Sequence, residues 1–151
     1  AFDVLKEVLA ADPVDEEAWF RRALLNRYLG EMSAARRDFE WLLERSQDSW
    51  KLYLSHLMLG AMDEDARRHP EAIAHYRAAV RLEPSSPTAR FALSHALLGR
   101  EDVAGAIASA RAAFDPGGES VVPTDGWVRL RNDGDIRYRA LVQELRAEVA
   151  P

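Results

Sequence analysis

"HPEAIAHYRAAVRLEP", residues 69–84, reads as one helix with a built-in start and a built-in stop. Ala72, Tyr76 and Ala79 stand at steps of four and three, so they lie along one stripe of a helix. Small alanines on that stripe let a neighbouring helix approach closely, and the tyrosine fills the space beside them. Pro84 closes the segment, because it has no N–H to donate and disfavours helical geometry just before it. The same steps recur along the chain. Ala35 is followed by Phe39 and Leu42, Ala106 by Ala110 and Ala113, and Ala1 by Leu5, Val8 and then Pro13. The four anchoring alanines are 34, 37 and 34 residues apart. A short helix cannot bury its apolar flank alone, so a period of this length predicts helices stacked in series.

Each marked helix is preceded by another. The segments 15–29, 48–62 and 86–98 have Asp15, Asp48 and Ser86 as N-cap candidates, and Pro87 suits a first helical turn. Gly30 and Gly99 stand where two of these helices end. Helix pairs at this period, with the Ala-x3-aromatic step and the closing proline, resemble the tetratricopeptide repeat. The residues that carry the resemblance are Trp19, Ala23, Gly30, Ala35 and Phe39, then Ala72, Tyr76, Ala79 and Pro84. Arg22, His56 and Arg90 depart from it, since they occupy places the family gives to apolar side chains. The resemblance implies an all-α, right-handed α-solenoid of antiparallel helix pairs. It would comprise a half repeat at 1–14 and repeats at 15–47, 48–85 and 86–116; beyond it, composition and apolar spacing predict a loop plus C-terminal capping helix at 117–151 in the same domain. The three extra residues of the second repeat are expected in the charged turn at 63–68. Because Ala1 is itself an anchor, the pattern enters on the second helix of a pair, and further repeats are expected upstream. In the last segment, Trp127 is expected to pin the loop onto the stack. Ile136, Leu141, Leu145 and Val149 would line the inner side of the capping helix, with folding back into the groove as the alternative.

Composition sets the outer bounds. A chain of 151 residues with 48% hydrophobic and 30% charged residues is long enough for one domain with a substantial core. A formal charge of -5 argues against nucleic acid, which needs a concentrated basic face. The pairs Arg21-Arg22, Arg36-Arg37 and Arg67-Arg68 are each followed closely by acids and read as solvated helix faces. There is no cysteine, so thiol chemistry and thiolate metal sites are excluded. No apolar run approaches the ~20 residues that span a bilayer, so membrane insertion is not expected. No targeting segment is visible either, which leaves the cytoplasm as the default compartment.

Catalytic chemistry finds no foothold. His69 and His75 are six apart, which does not bring two rings to one helical face. His56 and His95 lie in different first helices without a ligand set, so no metal is expected. Pro116-Gly-Gly118 lacks the lysine and the strand–helix setting of a phosphate loop. The carboxylates at Glu16-Glu17 and 63–65 read as exposed turns, the opposite of the desolvated cleft that acid–base catalysis needs. The expectation is a protein that is not an enzyme and uses no cofactor.

In the family it resembles, the first helix of each pair lines a concave groove that holds peptides. The resemblance therefore implies a partner-binding groove of Glu17, Phe20, Leu24 and Arg27, then Lys51, Leu54 and Met58, then Phe91, His95 and Leu98. Apolar residues outnumber charged ones in that set, which points to an apolar or amphipathic segment of another protein. A carboxylate clamp of the chaperone-binding kind is not expected, because its places hold Phe20, Leu24, Ser55, Thr88 and Ala92. Trp41 lies off the Ala35–Phe39–Leu42 stripe. It is either a convex-side contact for another protein or is covered by the charged insertion or the following pair. Two alternatives stay open: a scaffold that self-associates through its N-terminal edge, and the recognition domain of an enzyme whose catalytic part lies elsewhere.

Overall fold

A computed structural model describes residues 2–114. The chain divides into two compact units, 1–114 and 115–151, and the described residues lie in the first. The expected loop, the capping helix, Trp127 and Pro116 lie outside the described residues.

Seven helices follow one another without a strand among the described residues: α1 (Phe2–Ala11), α2 (Glu16–Tyr28), α3 (Met32–Arg45), α4 (Ser49–Asp65), α5 (His69–Leu82), α6 (Pro87–Leu98) and α7 (Val103–Ala113). The most extensive packing is within the hairpins α2–α3, α4–α5 and α6–α7. Each hairpin then packs on the next through α3–α4 and α5–α6, while α1 packs on α2. This is a solenoid of antiparallel helix pairs. Its core is the alanine-marked stripe: Ala35, Phe39, Leu42, Ala72, Tyr76 and Ala79 are fully buried, and Ala106 and Ala110 nearly so. In α1 Leu9 is buried, with Leu5 and Val8 half-buried beside it.

Two kinds of turn recur, and the α3–α4 junction at 46–48 is instead an extended link in which the Ser46 hydroxyl accepts from Asp48 N–H (3.1 Å). Between hairpins, Asp15 N–H bonds the Asp12 carbonyl (3.3 Å) and Ser86 N–H the Glu83 carbonyl (3.1 Å). Pro13 and Pro84 thus sit second in four-residue turns, where a fixed φ is an asset. Asp15 then caps α2 by accepting from Ala18 N–H, and Asp48 caps α4 by accepting from Trp50 and Lys51 N–H. Ser86 occupies the same place before α6, but its hydroxyl is turned to the Tyr53 hydroxyl at 2.7 Å. Within hairpins, every turn is a Schellman motif. Gly30, Arg67 and Glu101 each have positive φ and stand two residues before the second helix. The next residue in each case, Glu31, Arg68 or Asp102, donates its N–H five residues back, to the carbonyl of Asn26, Asp63 or Leu97. Gly99 only ends α6; the left-handed residue of that turn is Glu101.

Two expectations need correcting. The three extra residues of the second repeat are helical: α4 runs 17 residues to Asp65, against 13 in α2 and 12 in α6. The added turn is held because Asp63 and Glu64 are buried and engaged. Asp63 accepts from Arg36 on α3 and from Arg68 Nε (3.0 Å) and Nη2 (2.8 Å), while Glu64 accepts from the Tyr76 hydroxyl (2.8 Å) and contacts His95 Nδ1 on α6. The arginine pairs are not simply solvated faces either. One member of each, Arg22, Arg36 or Arg68, reaches a buried carboxylate, leaving Arg21, Arg37 and Arg67 in solvent.

Candidate functional site

The residues expected to line a groove fall on α2, α4 and α6, the first helices of the three pairs, and α4 touches α6 directly. Leu24 and Leu98 are exposed and Phe20, Leu54 and Phe91 half-buried. Phe20 meets Phe39 edge-on at 6.3 Å, and Phe91 meets Phe114 at 5.1 Å, so both rings are anchored from behind by the second helix or its end. Glu17 is exposed and spent on Arg21 one turn later (2.7 Å). Lys51 is held by Asp48 at 2.9 Å, and its ammonium pKa is raised by that bond. Arg27 is half-buried, and His95 contacts Glu64. Met58, at 3% exposure, belongs to the packed interior, on a helix that packs against α3, α5 and α6.

A second feature went unseen in the sequence. Trp41 of α3 stacks on Trp19 of α2, centroids 4.5 Å apart and planes within 9°. It is therefore half-buried by the helix before it, rather than by the insertion or the following pair. The Arg22 guanidinium lies 4.3 Å from the Trp19 centroid and that of Arg45 5.2 Å from Trp41. Arg22 also grips Asp38 with two parallel bonds of 2.8 and 2.7 Å, which raises its pKa, and Asn26 donates to the same carboxylate at 3.0 Å. Trp19 Nε1 donates to the Pro13 carbonyl at 2.8 Å, which ties the stack to the turn before α2. Trp19, Arg22, Asn26, Asp38 and Trp41 wall a cleft of about 440 Å³ that Lys6 of α1 and Arg37 of α3 also line. The signal available beforehand was the recurrence of Trp and Arg on α2 and α3, at 19, 22, 37 and 41. Only the hairpin's register brings them together.

Among the histidines, the pair that forms is His56 with His75, across the α4–α5 hairpin, with Nδ1 atoms 3.0 Å apart. His75 Nε2 lies 3.6 Å from Asp63 Oδ2. Burial is the largest influence on both rings and lowers both pKa values, that of His56 to about 4, with repulsion from His75 and Arg81 adding to it. Both rings are therefore neutral at neutral pH. Among the described residues no group of three or more His, Cys, Asp or Glu side chains is placed to hold a metal, and no helix is long and apolar enough to cross a membrane.

Residues 57–119 match the family model for the tetratricopeptide repeat. The chain is also similar to two solved structures described as "MamA 41-end from Desulfovibrio magneticus RS-1" and "MamA RS-1 ArsTM double mutant". Each is 22% identical with a TM-score of 0.64. The first match covers 97% of this chain and 84% of that one, the second 95% and 82%. At that identity the likeness speaks to the fold. No curated protein matches the chain.

Proposed function

We propose that this chain, whose residues 57–119 match the tetratricopeptide-repeat model, is a non-catalytic protein-interaction module that receives an apolar or amphipathic segment of a partner along the face made by α2, α4 and α6. The observation that carries this reading is the pairing of exposed Leu24 and Leu98 with the half-buried, ring-anchored Phe20 and Phe91 on the same set of first helices. The two rings offer apolar area at little ordering cost, since they are already held from behind, and the two leucines extend that area into solvent. Leu54 continues the face between them, with Glu17, Arg27, Lys51 and His95 supplying polar contacts for orientation. Met58 would support this wall from within.

The test is selection of binding peptides from a random library on the intact protein, repeated with Leu24→Ser/Leu98→Ser. Both positions are exposed, so the pair leaves the core intact. Selected peptides should be apolar or amphipathic and should bind the variant at least about tenfold more weakly, equivalent to 1.4 kcal/mol. Peptides that bind both proteins alike would move the interaction elsewhere.

A further inference from the structure

We propose that the cleft between α1, α2 and α3 is a separate docking site for an acidic segment of a partner protein that also carries an apolar side chain. The cleft's volume of about 440 Å³ suits a few side chains of a bound segment. Its walls bring Lys6, Arg22 and Arg37 from three different helices against a single carboxylate, Asp38, in a chain whose formal charge is -5. Among the residues that line the cleft cations thus outnumber anions, opposite to the sign of the whole chain, and with Arg22 matched to Asp38 it is Arg37 that offers the cleft an unspent charge for an anion. Asp38 is already engaged by Arg22 and Asn26, so it does not compete with an incoming carboxylate for the donors of Arg37. Arg37 is exposed and, among the described residues, has no ion-pair partner, which leaves its forked donors available to a carboxylate.

The floor explains the apolar half of the ligand. The faces of Trp19 and Trp41 are turned to each other and their edges, with Ala34, border the cleft. The stack is fixed in advance by the Trp19 bond to Pro13 and by the arginines beside both rings, so little ordering accompanies binding. Rigid tryptophan flanked by arginine is the composition of interface hot spots. A nucleic-acid strand fits less well, because the acidic remainder of the molecule repels a polyphosphate that extends beyond the cleft.

The experiment is calorimetric titration of the intact protein with the acetylated, amidated pentapeptide Glu-Asp-Phe-Glu-Asp and with its neutral analogue Gln-Asn-Phe-Gln-Asn. The acidic peptide should bind one-to-one and at least about tenfold more tightly than the neutral one. Arg37→Glu should weaken it about tenfold or more, and Arg37→Lys by less than about threefold, with unchanged circular dichroism in both. Trp41→Phe should weaken it while leaving the charge term intact. The Leu24→Ser/Leu98→Ser pair should bind the peptide as the parent does, which separates this site from the groove. The proposal is overturned if no heat is seen up to ~1 mM peptide, if the two peptides bind alike, or if Arg37→Glu has no effect. Complete competition by equimolar inorganic phosphate would reduce the cleft to a generic anion site. A sedimentation shift from dimer to monomer on Arg37→Glu would assign it to a second copy of the chain.

Discussion

Replacing Asp63 by alanine probes the tie between two successive hairpins. The carboxylate is 1% exposed and accepts from Arg36 on α3 and twice from Arg68 at the start of α5. Removing one partner of a fully buried ion pair costs roughly 3–5 kcal/mol, mainly because the other charge is stranded. Here the stranded groups are Arg36 and Arg68, whose side chains are 27% and 46% exposed, so both can regain water. The Arg68 contact is half surface in character and adds about 1 kcal/mol or less. The lost Arg36 bond, charge-assisted and mostly buried, accounts for about 2 kcal/mol. The expected cost is therefore about 3 kcal/mol, or a fall in Tm of ~6–12 °C for a chain of this size. Arg36→Ala should cost at least as much, since it leaves a carboxylate rather than a guanidinium in the buried position. Urea unfolding followed at 222 nm measures both, and the double variant should cost less than the two singles together by about 1.5 kcal/mol. A loss below ~1 kcal/mol for Asp63→Ala, or strict additivity with Arg36→Ala, would refute this account of the added turn.

Gly60→Ala should destabilise despite the ~1 kcal/mol that alanine gains over glycine inside a helix. A methyl there would come within 2.6–3.0 Å of the ring of Tyr76, which is fully buried and held by its hydroxyl on Glu64. Overpacking of that kind costs about 1–3 kcal/mol. Thermal melts of Gly60→Ala, alone and with Tyr76→Leu, check the sign: the methyl should become neutral or stabilising once the ring is gone. The His56–His75 pair predicts a pH dependence. His56 is held near pKa 4 in the fold against an ordinary 6.5, and His75 is lowered too. The unfolded chain therefore binds more protons between those values, and this contribution to stability is complete above pH ~6.5 and is lost as pH falls towards 4. Urea midpoints from pH 7.5 to 4.5 should fall more steeply for the parent than for His56→Gln/His75→Gln; parallel curves would sink the prediction.

How much of the fold and the sites was legible in the sequence depends on range. The stripe at Ala35, Ala72 and Ala106, the Asp15 and Asp48 caps and the Pro13 and Pro84 turns are local patterns, and local patterns dictate helices. The helical insertion was hidden because Asp63 and Glu64 look like turn residues until Arg36, Tyr76 and His95, 12 to 31 residues away, are seen to satisfy them. Trp41 was similarly ambiguous, since its cover, Trp19, lies on the other helix of its hairpin. The histidine spacings failed as a guide for the same reason: hairpin register, not sequence distance, pairs His56 with His75.

The three Schellman turns share one backbone path while carrying glycine, arginine and glutamate at its left-handed point. A non-glycine residue there holds a conformation costing of order 1 kcal/mol, accepted in two of these three turns. The hairpins thus enter and leave their bends with matching geometry whatever letters spell them. Each bend is in effect an interchangeable joint, and the loop of one hairpin could be exchanged for that of another without redirecting the helix that follows.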